Sequence, residues 1–219
     1  MSPEIFDRHM RFLYRKGYSF LSEQDLVTFL FGDVPLPGRS VMVTFDDGYL
    51  DNYTNALPIL ERYGARATIF LSVRMIGETL LWDERSTSFL SLFQIKEIRR
   101  RGIDFGSHGM THRSLTKCPD KQVKEEIRLS KKALEDLLGQ EVGLFSYPFG
   151  HYDRAVKETV RLSGFKCAFT LHKGINRKGT DPYALRRLKP GGTLAGLLLL
   201  ILSAPVIECL RSLSRSRHV

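Results

Sequence analysis

The sequence predicts a single-domain α/β fold built on a mainly parallel sheet, and three observations carry that prediction. Short runs of β-branched and aromatic residues alternate with longer stretches of helical period between residues 41 and 171. The side chains best suited to chemistry stand directly after those apolar runs, where the carboxyl ends of parallel strands gather catalytic groups. A length of 219 residues, 42% hydrophobic and 26% charged, suits one sizeable core.

Taken in order, Ser2-Pro-Glu4 supplies an N-cap with proline at the first helical position. Phe6, Met10 and Leu13 follow at helical spacing until Gly17. A chain that opens on an amphipathic helix lacks the basic segment and apolar core of a secretory signal peptide. The expectation is therefore a location in the cytoplasm or at the cytoplasmic membrane. Ser22-Glu-Gln-Asp25 has the form of a capping box, with Asp in place of Glu, and opens a short helix to Phe31. Pro35-Leu-Pro-Gly38 makes a stiff loop, and 41–45 reads as a buried strand.

Tyr53, Leu57 and Leu60 mark a helix that ends near Gly64, and 66–71 is the next strand. The alternation continues with a helix over 94–101, a strand at 103–105 and a long helix over 120–138. A strand at 144–147, a helix over 153–163 and a strand at 166–171 complete it. Residues 77–89, which include Trp82, show no clear period and read as a loop over the cleft. Residues 1–190 thus form the domain, and 191–219 an apolar then basic tail.

That tail is mostly apolar from Leu194 to Ile207, with Arg211, Arg215 and Arg217 beyond. The run is shorter than the about 20 residues of a membrane span, and it carries Pro205. It reads as a final helix packed on the barrel, or as a monotopic anchor whose arginines meet anionic lipid in a peripheral membrane contact. Cys118, Cys167 and Cys209 are widely spaced and include no C-x-x-C pair, which argues against a disulfide framework or a cysteine metal site. The net charge of +9 accompanies no nucleic-acid-binding motif, so no nucleic-acid partner is expected.

Two clusters carry the chemistry. Val41-Met-Val-Thr-Phe-Asp-Asp-Gly-Tyr49 ends a strand in two adjacent carboxylates and a glycine. Neighbouring side chains on a strand point to opposite faces, but a turn at its end can swing Asp46 and Asp47 into one cleft. There one carboxylate can bind a metal while the other accepts a proton. In Gly106-Ser-His-Gly-Met-Thr-His112 the two histidines stand four apart, a spacing that puts two imidazoles on one metal, and Gly109 argues for a loop. One carboxylate and two neutral imidazoles form a three-ligand set that leaves positions open for water and substrate.

At these residues the chain resembles the polysaccharide deacetylases, carbohydrate esterase family 4, with the NodB-homology domain. Thr44 to Gly48 match the family's Thr-Phe-Asp-Asp-Gly, and His108 to His112 match His-Ser/Thr-x-x-His with Gly109 at the second place. Tyr147-Pro-Phe-Gly150 matches a third motif ending Tyr-Pro-Tyr/Phe-Gly. The resemblance covers residues 3–190 and implies a distorted (β/α)7-like barrel. It also implies an earlier strand with a Tyr-His pair, which this sequence does not show and whose lack would leave a barrel edge uncovered.

The resemblance further implies a hydrolase that removes N-acetyl groups from amino sugars of a polysaccharide or glycolipid precursor. One divalent ion, expected to be zinc, would be held by Asp47, His108 and His112, with Asp46 as general base. Tyr147 and Pro148 would line the substrate, with a backbone N–H near Tyr147 helping the oxyanion. Trp82 would stack on a sugar ring or pack in a core.

Two departures stand out. Many members carry an Arg two places before the proline of the third motif, where it orients the base, and this chain has Ser146. Members resembling the poly-N-acetylglucosamine deacetylases often have a small residue there. Arg187, in Leu185-Arg-Arg-Leu188, matches a Leu-x-Arg pattern near the end of such proteins, and it either supplies the compensating charge or lies on the surface. No clean Leu-x-His motif marks the general acid, for which His172 and His151 are the candidates. The alternative function is a catalytically silent carbohydrate-binding relative.

Overall fold

The computed structural model describes residues 1–82, 85–190 and 208–211, with backbone alone for residues 82, 85 and 208–211. Helix α1 (Pro3–Arg15) begins where the Ser2 hydroxyl accepts the Ile5 N–H, with Pro3 in the first turn. The two-residue strand β1 (Ser19–Phe20) leads to α2 (Glu23–Phe31). The expected capping box is present there: Asp25 accepts the Ser22 N–H and the Ser22 hydroxyl accepts the Asp25 N–H. Strand β2 (Ser40–Phe45) is buried along its whole length, as a strand covered on both faces must be.

The helix expected after the aspartates comes in two parts, a π-helical stretch Asn52–Ala56 and α3 (Leu57–Arg62), before β3 (Ala67–Leu71). Residues 77–89 are not a plain loop. They form an antiparallel hairpin of β4 (Thr79–Trp82) and β5 (Arg85–Ser88), a structure the sequence period did not show. Helix α4 (Leu92–Arg100), strand β6 (Asp104–Ser107), helix α5 (Asp120–Leu138) and strand β7 (Leu144–Ser146) follow. Helix α6 (Arg154–Leu162), strand β8 (Cys167–Lys173) and strand β9 (Leu185–Arg187) complete the domain. Gly139, at φ 64, stops α5 in the left-handed conformation that glycine adopts without strain.

Seven parallel strands in the order β1-β2-β3-β6-β7-β8-β9 curl, with six α-helices, into the distorted (β/α)7-like barrel. Alternation along the strands sorts the core into two clusters. Val41, Val43 and Phe45 join Ile69, Phe105 and Phe145 and pack against helix residues such as Leu13, Ile98 and Ile127. Met42 joins Phe70, Leu144, Phe169 and Leu185 in the other, with Leu21 and Leu26.

The edge of β2 is not left bare. Strand β10 (Glu208–Arg211) pairs with it in parallel, from Glu208 beside Val41 to Arg211 beside Thr44. The final helix or anchor expected over 194–207 lies outside the described residues, and no described helix is long and apolar enough to cross a membrane.

Candidate active site

The carboxyl end of β2 delivers two carboxylates that diverge into two networks. Asp46 continues the strand and is 1% exposed; Asp47, at φ 72, turns the chain. Gly48 follows at φ 74, and a Cβ there would come within 2.5 Å of Leu71 Cδ2, so only glycine fits. The turn is clamped from outside: the Leu90 N–H donates to the Gly48 carbonyl at 2.8 Å, and the Tyr49 and Phe89 rings stack with centroids 5.0 Å apart. The hairpin thus braces the aspartate turn.

The carboxyl end of β6 supplies the imidazoles. His108 is buried, its N–H donates to the Leu71 carbonyl, and its Nδ1 lies 2.7 Å from the Ser146 carbonyl oxygen. A carbonyl only accepts, so Nδ1 carries the proton and Nε2 presents a lone pair. Burial, opposed by Asp46 and Asp47, brings the His108 pKa down to about 4, which keeps the ring neutral.

His112, at φ 57, returns across the loop to place Nε2 3.0 Å from Asp47 Oδ1, and His108 Nε2 lies 3.4 Å from the same oxygen. Burial pushes the Asp47 carboxyl up, but the neighbouring His112 and His108 imidazoles outweigh it and hold it below its usual value. One ligand atom from each of Asp47, His108 and His112 lies within 4.8 Å of the others. A carboxylate oxygen and two imidazole Nε2 atoms are a donor set that fits a divalent ion such as zinc.

Asp46 sits in the second network. Arg187 Nη1 donates to Oδ1 at 2.8 Å and Nη2 to Oδ2 at 3.1 Å, and Arg187 is itself 2% exposed. The guanidinium is fixed in turn: Nε donates to the Thr170 carbonyl, and the Phe70 and Phe169 rings lie 6.0 Å away. Ser146 bridges the pair, accepting from Arg187 Nη2 and donating to Asp46 Oδ1. The same residue's carbonyl orients His108. The short side chain at 146 therefore leaves room for Arg187 to arrive from β9.

Other expected residues lie outside these two networks. Tyr147 is fully buried, its hydroxyl donates to the Tyr183 carbonyl, and its N–H is taken by the Phe169 carbonyl. It is a core residue with no ring surface to offer substrate, so its expected place lining the substrate is corrected, and its own N–H is already taken. Pro148 is buried beside it, and the side chain of Trp82 lies outside the described residues. His172, at the end of β8, packs its exposed ring on Tyr152, which stacks on Tyr147. His151 hydrogen-bonds Ser114 and lies 6.0 Å from the Phe149 ring.

Phe149 escaped the sequence reading. It stands at φ 59, is 41% exposed, and its ring centroid lies 4.7 Å from that of His112. Among the described residues, the non-glycine residues in the left-handed region are Asp47, His112 and Phe149, all at this site. Such strain persists where the surroundings impose it, and it clusters at functional sites.

A family model for polysaccharide deacetylases matches residues 33–168. The chain belongs to that family. YxkH of Bacillus subtilis, named for the same family, is 31% identical over 191 residues, which cover 87% of this chain and 66% of YxkH. The poly-beta-1,6-N-acetyl-D-glucosamine N-deacetylase of Staphylococcus epidermidis is 27% identical over 161 residues. That match covers 69% of this chain and 55% of the relative, so the chain spans little more than half of that protein's length.

Among solved structures, IcaB from Ammonifex degensii superposes with a TM-score of 0.82 at 28% identity, covering 93% of this chain and 90% of that one. The Streptococcus pyogenes deacetylase PplD, solved in complex with acetate, gives a TM-score of 0.81 at 27% identity, covering 91% and 86%. The fold is that of the carbohydrate esterase family 4 deacetylases.

Proposed function

We propose that this polysaccharide deacetylase family member is a metal-dependent hydrolase that removes N-acetyl groups from amino sugars of a polysaccharide or glycolipid precursor. One observation carries the reading: two aspartates adjacent in sequence are committed to different partners, Asp46 to Arg187 and Asp47 to His108 and His112. Relatives named poly-beta-1,6-N-acetyl-D-glucosamine N-deacetylases support the substrate class.

Asp47, His108 and His112 would hold the ion, expected to be zinc, whose chemistry is to polarise the acetamide carbonyl and make water more acidic. Asp46 accepts the proton of the attacking water. Arg187 holds both of its carboxylate oxygens in place while leaving lone pairs for that proton. Ser146 keeps base and guanidinium in register. The departing amine needs a proton, and His172 and His151 remain the residues to supply it. Phe149 presents an exposed ring beside His112 and would wall the substrate.

The test is acetate release from β-1,6-linked N-acetylglucosamine oligomers, before and after chelation and after zinc is returned. Release that chelator abolishes and zinc restores supports the reading. Binding of the oligomers with no release would instead mark a silent carbohydrate-binding relative.

A further inference from the structure

His108 and His112 reach Asp47 only if the loop between them holds a conformation with two left-handed residues, Gly109 at φ 82 and His112 at φ 57. On one side that loop is bound to the turn that follows β3. The Val73 N–H donates to the Gly109 carbonyl at 3.2 Å and the Arg74 N–H to the Met110 carbonyl at 2.9 Å. On the other side the N–H groups of Met110 and Thr111 face α5. Both donate to one oxygen of Glu126, each at 2.9 Å, and the Thr111 hydroxyl donates to the other oxygen.

Glu126 is 5% exposed and lies on the buried stripe of α5 with Val123, Ile127 and Ser130. A carboxylate on the core face of a helix is costly unless its hydrogen bonds are satisfied, and here loop 110–111 supplies three donors. The carboxylate also fills space beside the loop, with Oε2 3.5 Å from where a Cβ on Gly109 would stand. Gly109 and Glu126 fit each other: the left-handed glycine lets the loop run close to α5, and the carboxylate binds the backbone it brings there.

We infer that Glu126 is a positioning residue for the metal site, setting affinity for the ion by holding the Met110–Thr111 backbone so that His112 Nε2 faces Asp47. The inference rests on the metal reading of the Asp47, His108 and His112 cluster. Glu126 does not touch the ion; it acts through the loop, and what counts is the reach of its acceptor oxygens rather than its charge. Partners that orient a ligand in this way change metal affinity by about 10- to 100-fold when removed.

Reach and charge separate in two substitutions. Glu126→Gln keeps the reach: the amide oxygen accepts both N–H groups, and its NH₂ donates to the Thr111 hydroxyl, which can rotate to accept. Glu126→Asp keeps the charge but withdraws the carboxylate by about 1.5 Å, one carbon–carbon bond.

The experiment measures Zn²⁺ affinity by chelator competition for the parent, Glu126→Asp and Glu126→Gln. Amide hydrogen exchange at Met110 and Thr111 is followed in the metal-free proteins. Glu126→Asp should bind Zn²⁺ about 10- to 100-fold more weakly and exchange faster at both amides, with Glu126→Gln close to the parent in both. Glu126→Asp indistinguishable from the parent overturns the inference, as does Glu126→Gln falling as far as Glu126→Asp. A parent that binds no Zn²⁺ overturns the metal reading itself, and the inference with it.

Discussion

Arg187 closes on Asp46 with both terminal nitrogens, at 2.8 and 3.1 Å, across 141 residues of chain. The pair is buried, and its geometry is the two-pronged one that a guanidinium makes with a carboxylate. Removing one partner of such a pair strands the other charge away from water.

Arg187→Ala should therefore cost about 3–5 kcal/mol of stability and lower acetate release strongly, while zinc content stays near that of the parent. Thermal unfolding, metal analysis and turnover on one preparation check this. Normal turnover would show that another group aims Asp46. Arg187→Lys should keep a charge but lose the fork and recover only part of the activity.

Ser146 lies between the two charges and is fully buried. Ser146→Arg in the parent should damage both stability and turnover, because the site already contains a guanidinium and has no room for a second. In an Arg187→Ala background the same change should recover part of the loss. A double-mutant cycle on acetate release reads the coupling, and strictly additive effects would mean that the two positions do not share Asp46.

Much of this arrangement is written locally in the sequence, and the rest is not for identifiable reasons. The Ser22 capping box, the bounds of α5 and the buried strand β2 depend on caps and periods within a few residues, and they stand where those signals put them. Strands β1 and β9, of two and three residues, are too short to show a period and exist because neighbours pair with them. The hairpin β4–β5 leaves the apolar Leu81 exposed and has only polar residues in β5, so no apolar alternation marked it.

The aspartate and histidine clusters are contiguous and could be read directly. Arg187 was visible through its Leu-x-Arg pattern and as the charge left over once Ser146 replaced the usual arginine. Glu126 had a signal that went unread: in the stripe Val123, Glu126, Ile127, Ser130, Leu134 it is a charge at a core position. Tyr147 misled because a motif gives residue identity but not whether the side chain points to the cleft or to the core.

A separate carboxylate gives a pH-dependent stability. Burial and the neighbouring Asp104 carboxylate push Glu23 up to about 7. The folded chain then holds that proton more tightly than the unfolded chain. This stabilisation is full below the ordinary carboxylate range and is lost as pH rises through about 7. Glu23→Gln, neutral throughout, should raise stability at pH 8 by on the order of 1 kcal/mol, roughly 2–4 °C in midpoint, and change little at pH 5. Equal effects at both pH values would contradict the shift.

The division of labour between Asp46 and Asp47 is tested most directly by measuring bound zinc and acetate release together on Asp46→Asn and Asp47→Asn. Asp47→Asn replaces the carboxylate that faces two imidazoles and should lose the ion and activity together. Asp46→Asn should keep about one ion per chain and lose about 10²- to 10⁴-fold in turnover, the contribution of a positioned base. Equal metal loss in the two variants, or full turnover in Asp46→Asn, would contradict the account.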